Sequence, residues 1–404
     1  MVALDELKTT VELIGSAIPG PYPLQARSVE FPDAVQTVTV LMNPLSFSFP
    51  SVIQLPGQDQ QAVYGDLAFA GPDDAGKLHV FVGFIRPGQE NFVRRYALDA
   101  LAQSNPSAEI TYTGDGSSPV FYIPASYPTD PPQAVRVAGD RVGNGYWLEP
   151  GPQPNDTRDA AHVNNIMRLK LDDQAEAFSC NGLCELDLDS DIAIDALGRI
   201  YVLGREKPTD PAAILRIDDA FSPAASARVV VPGDAVPVTP RFALDDSDRL
   251  LVLLEHTLRR YRPQSTDSGV PYEEDTSFRA PTFVAPTNVD TDASGLIYVS
   301  TRELIDDLGT DSADNTSSIH VINEVGSPVW SLCQLTDPIT GDGADFNAMQ
   351  RVLSFAVDDS GCLFLFDDVN WPDDPTGDGG SSANVVRIDP AEAQGGETSD
   401  ACGE

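Results

Sequence analysis

A two-part phrase that recurs six times constrains the fold of this chain more than any other feature of its sequence. The first part is an apolar segment, the turn Asp-x-x-Gly and a second apolar segment, as in AIDALGRIYVL. Asp at the start of such a turn accepts a hydrogen bond from the amide two residues later, and Gly at its end adopts a left-handed conformation without strain. Asp248 replaces this Gly once, and Asp tolerates the conformation. The turn aspartates are Asp73, Asp140, Asp195, Asp245, Asp292 and Asp358.

The second part of the phrase is a short strand in which a basic residue stands between apolar ones, as in LRID and VRID. We expect each basic residue to pair with a neighbouring acidic group and to have a structural role. A ring of anion-binding side chains is the alternative. The six basic residues are Arg95, Arg168, Arg216, Arg260, His320 and Arg387.

Each repeat offers about four strands, because β-rich segments such as ARVVVPG and SPVWSLC follow the basic strand. No amphipathic helix pattern interrupts the repeats. Four antiparallel strands repeated with a period of about 40 residues or more are typical of a β-propeller. The sequence therefore predicts an all-β fold, a six-bladed β-propeller with four-stranded antiparallel blades over residues 51–389. A solenoid is the alternative, but it requires dedicated capping repeats.

The two ends of the chain indicate how the ring closes. After Asp389 the sequence continues as PAEAQGGETSDACGE, so the last repeat has only three strands. Near the start, SVIQLPG at residues 51–57 resembles ARVVVPG, an outer strand of the third repeat. We expect this N-terminal strand to complete the last blade and to remove its open edge. Residues 390–404 are predicted to be a flexible tail.

Residues 1–50 precede the repeats and are predicted to form an N-terminal arm. The arm has a short acidic helix candidate at residues 4–13 and an alternating segment, TVTVLMN, that predicts an extra strand. Two roles remain open for it. The arm either docks the ring onto another molecule or packs on the propeller as an additional edge strand.

The repeat phrases, especially DALGRIYVL followed by LRID and DASGLIYVS followed by IHVIN, resemble those of six-bladed propellers of the NHL, SMP-30/gluconolactonase and TolB-like type. The resemblance covers roughly residues 51–389. It implies the architecture and says little about activity, because such blades serve enzymes and passive binders alike. The NHL type binds through a basic face, which this chain lacks.

The resemblance to SMP-30-like enzymes implies a catalytic Ca²⁺ in the channel, held by Glu, Asn and Asp side chains from different blades. On that pattern Asn288 and Asp191 are candidate ligands, and Asn347 lies farther from its strand. Pro240 and Ala134 stand at the places that we take as equivalent in other repeats, and neither side chain can bind a metal. No Glu is evident near the first repeat.

Two acidic segments are candidates for structural Ca²⁺ loops, since carboxylate and amide oxygens are the ligands that Ca²⁺ prefers. Neither segment matches an EF-hand loop, and a solvated acidic loop is the alternative in both cases. DLDSD supplies Asp187, Asp189 and Asp191, and DPITGDGADFN supplies Asp337, Asp342, Asp345 and Asn347.

The charge of the chain excludes some partners. The 404 residues include 62 acidic and 25 basic ones, for a net charge of -37. Nucleic acids and anionic membranes are bound by neutralising phosphates with Lys and Arg, so neither is an expected partner. No run of about 18 apolar residues is present, which argues against membrane insertion. We interpret the surface as acidic and halophilic-like, and carboxylates that bind cations are the alternative.

The cysteines and the first residues bear on the compartment. Cys180 and Cys184 close the small loop CNGLC, where a local disulfide and two reduced thiols are both open. The histidines are scattered, so a zinc site is not expected. Residues 1–20 do not match a signal peptide. A removed leader, or export as part of a virus particle, is compatible with this start, and we favour an extracellular or virion location.

The long connections between strands are the candidate binding regions of this chain. By propeller topology they should emerge on one face, where loops on a rigid scaffold usually bind ligands. Neither G-x-S-x-G nor a Gly-rich phosphate loop occurs. We expect a non-enzymatic binding or scaffold propeller that binds a protein partner or assembly through these loops or the N-terminal arm. The alternative is a Ca²⁺-dependent lactonase or phosphoesterase-like hydrolase. The connections span residues 115–132, 149–165, 302–318, 336–350 and 367–384.

Overall fold

A computed structural model describes eighteen segments of the chain and divides it into two compact units, residues 1–46 with 391–399 and residues 47–390 with 400–404. In the first unit, β1 (Gly20–Arg27) and β2 (Val35–Met42) form an antiparallel pair. The predicted helix at residues 4–13 and the predicted tail at 390–404 lie outside the described residues. The described segments are 20–27, 35–42, 51–53, 64–73, 75–85, 92–98, 108–112, 136–149, 163–186, 190–233, 241–264, 272–304, 315–332, 335–336, 347–348, 352–358, 361–369 and 382–388.

In the second unit the described strands form six four-stranded antiparallel sheets, numbered here 1 to 6. Sheet 1 contains β4 (Tyr64–Ala70), β5 (His79–Ile85), β6 (Phe92–Ala97) and β7 (Ile110–Tyr112). Sheet 2 contains β8 (Val137–Gly139), β9 (Gly145–Glu149), β10 (Asn165–Leu169) and β11 (Ala175–Ser179). Sheet 3 contains β12 (Ile192–Ile194), β13 (Ile200–Gly204), β14 (Ala213–Asp218) and β15 (Ser226–Val231).

The remaining sheets follow in chain order. Sheet 4 contains β16 (Arg241–Leu244), β17 (Leu250–Leu253), β18 (Leu258–Arg262) and β19 (Glu273–Glu274). Sheet 5 contains β20 (Pro286–Thr291), β21 (Ile297–Leu304), β22 (Asn315–Ile322) and β23 (Pro328–Leu332). Sheet 6 contains β26 (Val352–Val357), β27 (Leu363–Val369), β28 (Ser382–Ile388) and β3 (Ser51–Ile53). A separate two-stranded sheet joins β24 (Leu335–Thr336) to β25 (Asn347–Ala348).

The first strands of the six sheets contact one another in a closed ring, in the order β4, β8, β12, β16, β20, β26 and back to β4. The other strands of each sheet extend outward from this inner strand by antiparallel pairing. This arrangement is a β-propeller, in which each sheet packs its faces against its two neighbours. The predicted all-β fold with four-stranded antiparallel blades is confirmed.

The closure of the ring is also as predicted. The N-terminal strand β3 pairs antiparallel with β28, with Ile53 opposite Val385 and Ser51 opposite Arg387. Sheet 6 therefore takes its outermost strand from the other end of the chain. This pairing covers an edge of β28 that would otherwise present unpaired backbone groups.

The six tight turns follow the chemistry that the repeat predicts. Asp195 Oδ1 accepts hydrogen bonds from the amides of Leu197 and Arg199, both at 2.9 Å. The other turn aspartates accept in the same way, and Asp358 is described for the second of these bonds. Gly198 has φ 76° and Asp248 has φ 55°, so both adopt the left-handed conformation that the turn requires.

Apolar side chains fill the spaces between neighbouring sheets. Between sheets 6 and 1, Phe364 and Phe366 pack against Leu67 and Tyr96, and all four side chains are buried. Because this cluster joins the last sheet to the first, it closes the ring by packing as well as by strand pairing. The burial of such faces is the main stabilising contribution in a fold of this kind.

Four of the six basic residues of the third strands pair with carboxylates, as expected. Arg95 Nε lies 3.0 Å from Glu109 Oε2 in its own sheet, and its Nη2 lies 2.7 Å from Asp173 Oδ1 in sheet 2. Arg168, Arg216 and Arg260 also pair with carboxylates, and His320 Nδ1 lies 2.8 Å from Ser331 Oγ. The side chain of Arg387 lies outside the described residues.

The structure also bears on the state of the first two cysteines. Cys180 and Cys184 form a disulfide, and the side chain of Cys362 is buried. In the part of the chain that is described, no helix is both long enough and apolar enough to cross a membrane.

Candidate binding site in the central channel

The first strands of all six sheets line a central channel that contains a cavity of about 200 Å³. Equivalent positions on these strands can be found by counting back from the turn aspartate. Four residues before it stand Arg136, Asp191, Arg241, Asn288 and Ser354. Two residues before it stand Ala138, Ala193, Ala243, Asp290 and Ala356.

In sheet 1 three extra residues precede the turn aspartate, and hydrogen bonds identify the equivalent residue as Asp66. Its Oδ2 accepts a hydrogen bond from the amide of Val137 in sheet 2 at 2.9 Å. Asp191 Oδ2 accepts in the same way from the amide of Phe242 in sheet 4 at 3.0 Å. Both carboxylates therefore face the first strand of the next sheet.

Arg136 lies between two buried carboxylates. Its Nη1 is 3.4 Å from Asp66 Oδ1 in sheet 1, and its Nε is 3.9 Å from Asp191 Oδ1 in sheet 3. All three side chains are less than one tenth exposed. Because a buried charge is costly unless it is paired, the guanidinium partly compensates the two carboxylates. The three residues form a charged row across sheets 1, 2 and 3.

The protonation of Asp66 is affected by this environment. Burial raises the pKa of Asp66, and the neighbouring carboxylate of Asp191 acts in the same direction. Arg136 and the hydrogen bonds from Ser354 and Val137 oppose the increase without cancelling it. Asp66 is therefore the member of the row that is more easily protonated than an ordinary aspartate.

Polar side chains connect the inner strands of neighbouring sheets, which are not paired with one another in β-ladders. Besides the bonds from Asp66 and Asp191, the Ser354 hydroxyl of sheet 6 donates to Asp66 Oδ1 of sheet 1. Asn288 Nδ2 of sheet 5 donates to the carbonyl of Phe355 in sheet 6 at 3.3 Å. The channel wall is thus held together by side chains that act from one sheet on the next.

Asp290 differs from the residues at the same position of the other inner strands, which are all small. At its position the other five sheets carry Ala, with Ala68 in sheet 1, and all six residues line the channel. Asp290 Oδ2 accepts from the amide of Val357 in sheet 6 at 2.9 Å, and Oδ1 accepts from Thr291 at 2.8 Å. Burial raises the pKa of Asp290 to about 7, although these amide hydrogen bonds oppose the increase.

The structure brings only some of the predicted metal ligands together. Asp191 and Asn288 both line the channel, on sheets 3 and 5. Asn347 lies in β25, and its side chain is outside the described part of the structure. Among the described residues no three His, Cys, Asp or Glu side chains are grouped so that they could hold a metal ion. The predicted ligands that lie outside the described residues are Asp187, Asp189, Asp337, Asp342 and Asp345.

Two of the positions that were taken from the sequence as equivalent to Asp191 and Asn288 are wrong. Pro240 and Ala134 are not the counterparts of Asp191 and Asn288, because the fixed distance to the turn aspartate places Arg241 and Arg136 there. Asp66 was missed because three extra residues lie between it and the turn aspartate Asp73. Asp290 was missed although its signal is readable, since five sheets carry Ala at that position.

The donors and acceptors of this site suit hydrogen bonding to a small polar ligand, and they fit a calcium ion poorly. Asp66 and Asp191 come from different sheets, and the guanidinium of Arg136 lies between their carboxylates. A divalent cation at that place would be repelled by a positive charge in a site of low dielectric constant. The channel can therefore bind through hydrogen bonds, and its own guanidinium offsets one of the two negative charges.

No family model matches this chain, and no curated protein matches it significantly. Solved structures with a similar fold include a gluconolactonase from Xanthomonas campestris, which is 12% identical in sequence. The match covers 94% of this chain and 99% of the gluconolactonase, with a TM-score of 0.44. A DUF4221 family member from Bacteroides vulgatus is 10% identical, covering 86% and 98% with a TM-score of 0.46. The Aleuria aurantia lectin is 10% identical, covering 83% and 99% with a TM-score of 0.43. These similarities concern the fold and assign no activity to this chain.

Proposed function

We propose that this chain is a non-enzymatic binding or scaffold propeller. The observation that supports this proposal is the use of the polar side chains in the channel. The oxygens of Asp66 and Asp191 accept hydrogen bonds from the next sheet, and Asn288 Oδ1 accepts from the amide of Val289 at 3.0 Å. Groups that hold neighbouring strands in place have a structural task, and a metal ion would compete for the same oxygens.

The binding surface that we propose is the face of the long connections, with the N-terminal arm as the other candidate. Both lie mostly outside the described residues, so the proposal rests on propeller topology. A chain with a net charge of -37 attracts partners with a basic surface and repels acidic ones. We therefore propose a protein partner, in an extracellular assembly or a virus particle.

The competing function is a Ca²⁺-dependent hydrolase of lactones or phosphoesters. One observation favours it, because Asp66, Asp191 and Asn288 reach the same channel from sheets 1, 3 and 5. Asp66 also supplies a carboxylate from the first repeat, where the Glu that the resemblance implies is not evident. Against this function stands Arg136, whose guanidinium lies within 4 Å of both carboxylates, those of Asp66 and Asp191.

A calcium titration separates the two functions. The full chain, dialysed against a chelator, is titrated with CaCl₂ by calorimetry and assayed for lactone and phosphoester hydrolysis. Asp191→Asn removes a channel charge while it keeps an acceptor for Phe242, and Glu255→Gln is the matched control at a side chain that is 86% exposed. We expect the same calcium binding in all three proteins and no hydrolysis. One calcium ion per chain that is lost only in Asp191→Asn, together with hydrolytic activity, would establish the hydrolase.

A further inference from the structure

A second concave site lies away from the channel, between sheets 2 and 3 on the side of the tight turns. It is a cleft of about 740 Å³, within the range of about 300–1,000 Å³ that is usual for small-molecule sites. The turns at Val142 and Leu197 form its inner end. Arg168 of sheet 2 and Arg216 and Arg228 of sheet 3 form its walls and outer end.

At the outer end of the cleft, cationic side chains outnumber the carboxylates, so that one carboxylate is shared by two cations. Arg216 and Arg228 share the carboxylate of Asp218. Arg168 and Lys170 share that of Glu176. With Asp219 included, this end has four cations and three carboxylates, a net positive charge in a chain whose net charge is -37, and the Asp140 carboxylate lines the cleft nearer the turns. At the inner end, by contrast, Arg199 is held by two carboxylates, those of Asp195 and Asp248.

A strained loop of sheet 3 fixes one wall of the cleft. Asp219 has φ 53° and Phe221 has φ 64°, a conformation that is rare for a bulky aromatic residue. The Phe221 ring lies 4.0 Å from the guanidinium carbon of Arg168 and packs against Tyr146 and Phe178. Strain of this kind persists where the surroundings hold it, and it is frequent at ligand sites. The loop orients Arg168, whose side chain is 23% exposed and therefore reachable.

The inner end of the cleft carries exposed apolar side chains. Val142 is 60% exposed and Leu197 is 74% exposed, and both occupy the third position of a tight turn. The other four turns have small residues at this position, namely Ala75, Ser247, Ser294 and Ser360. Only the two turns that border the cleft have large apolar residues there. Exposed apolar groups beside a polar site often mark a binding surface.

We propose that this cleft binds a small organic anion, with its carboxylate or phosphate at the arginines of the outer end and its apolar part on Val142 and Leu197. The planar guanidinium groups of Arg168 and Arg228 match the geometry of both oxyanions. A polyanion would be repelled by the net charge of the chain. A small anion responds mainly to charges within the Debye length, about 8 Å at physiological salt.

The test titrates the full chain with phenyl phosphate, benzoate and inorganic phosphate by calorimetry. We expect saturable binding of at least one aromatic anion, with one site per chain. Arg228→Gln should weaken it about tenfold, as for the loss of one charged hydrogen bond. Leu197→Ser, which introduces the residue of the other turns, should weaken the aromatic anion about threefold and leave inorganic phosphate unchanged.

The control is Arg262→Gln, an arginine of sheet 4 whose side chain is 56% exposed, and it should bind like the native chain. Binding of phenyl phosphate alone identifies a phosphate ester as the ligand, and binding of benzoate alone identifies a carboxylate. The proposal is overturned if neither aromatic anion binds saturably, or if Arg228→Gln and Leu197→Ser both bind with native affinity. Melting curves of the variants verify that they fold.

Discussion

In five of the six sheets the channel position lies four residues before the turn position, and the two positions differ in kind. The turn position is Asp in all six sheets, and each Asp caps its own hairpin. The channel position is filled by Asp66, Arg136, Asp191, Arg241, Asn288 and Ser354. The residue that is the same in every sheet stabilises its own hairpin. The residues that differ from sheet to sheet include several whose side chains bond to a neighbouring sheet, and they connect the sheets into a ring.

The largest expected effect comes from opening the ring. A chain that begins at Gln58 lacks β3 and leaves the outer edge of β28 unpaired. Each lost backbone hydrogen bond costs about 1 kcal/mol, and the exposed edge adds to the loss, so we expect a decrease of about 3 kcal/mol or more in the free energy of unfolding. Urea unfolding measures it.

The matched control for this truncation begins at Phe47, where the second compact unit starts, and it keeps β3. It should unfold at nearly the same urea concentration as the full chain. If both truncated chains are equally stable, β3 does not close the ring. The hydrogen bonds within each hairpin would then account for the stability of the propeller, without a contribution from closure of the ring.

A substitution at the turn position should have the next largest effect. Asp195→Ala leaves the amides of Leu197 and Arg199 without their acceptor and should cost about 2 kcal/mol. Asp195→Asn keeps an acceptor oxygen and should cost clearly less. Equal losses for the two variants, measured by urea unfolding, would show that the charge and not the hydrogen bonds stabilises the turn.

The sequence was sufficient to predict what is local and repeated. The turn at Asp195 depends on residues within one hairpin, and the closure strand at residues 51–57 could be recognised from its likeness to another outer strand. The channel residues depend on contacts between sheets, which no single repeat contains. The role of the Arg136 side chain depends on Asp66 and Asp191, which lie in the sheets on either side of it. Asp290 became visible only after the strands were aligned by their turns.

Asp290 offers a sharper test, since Asp290→Ala makes its position identical in all six sheets. The pKa of Asp290 is raised to about 7 in the folded chain, from an ordinary value of 3.8. The protonated form therefore contributes stability below about pH 4, and this contribution is lost as the pH rises through 7. Between pH 4 and 8 the native chain should lose about 1–2 kcal/mol relative to Asp290→Ala, because channel solvent screens the carboxylate. Parallel stability curves for the two proteins would contradict this.

The smallest expected effect comes from salt, which acts on the surface charge and on neither position specifically. With a net charge of -37, self-repulsion should be weakened as the Debye length decreases from about 30 Å at 0.01 M to about 3 Å at 1 M. We expect Tm to rise by a few degrees with NaCl. A flat response would show that the acidic groups are already compensated, most simply by bound cations.

The most direct test concerns the hydrogen bond from the Phe242 amide to Asp191, by which sheet 3 holds sheet 4. Hydrogen exchange at single-residue resolution measures the protection of this amide in the native chain and in Asp191→Ala. We predict that Phe242 is protected in the native chain and loses protection in the variant, while the Val137 amide, held by Asp66, keeps its protection. Unchanged protection of Phe242 would contradict the structural role of the channel residues.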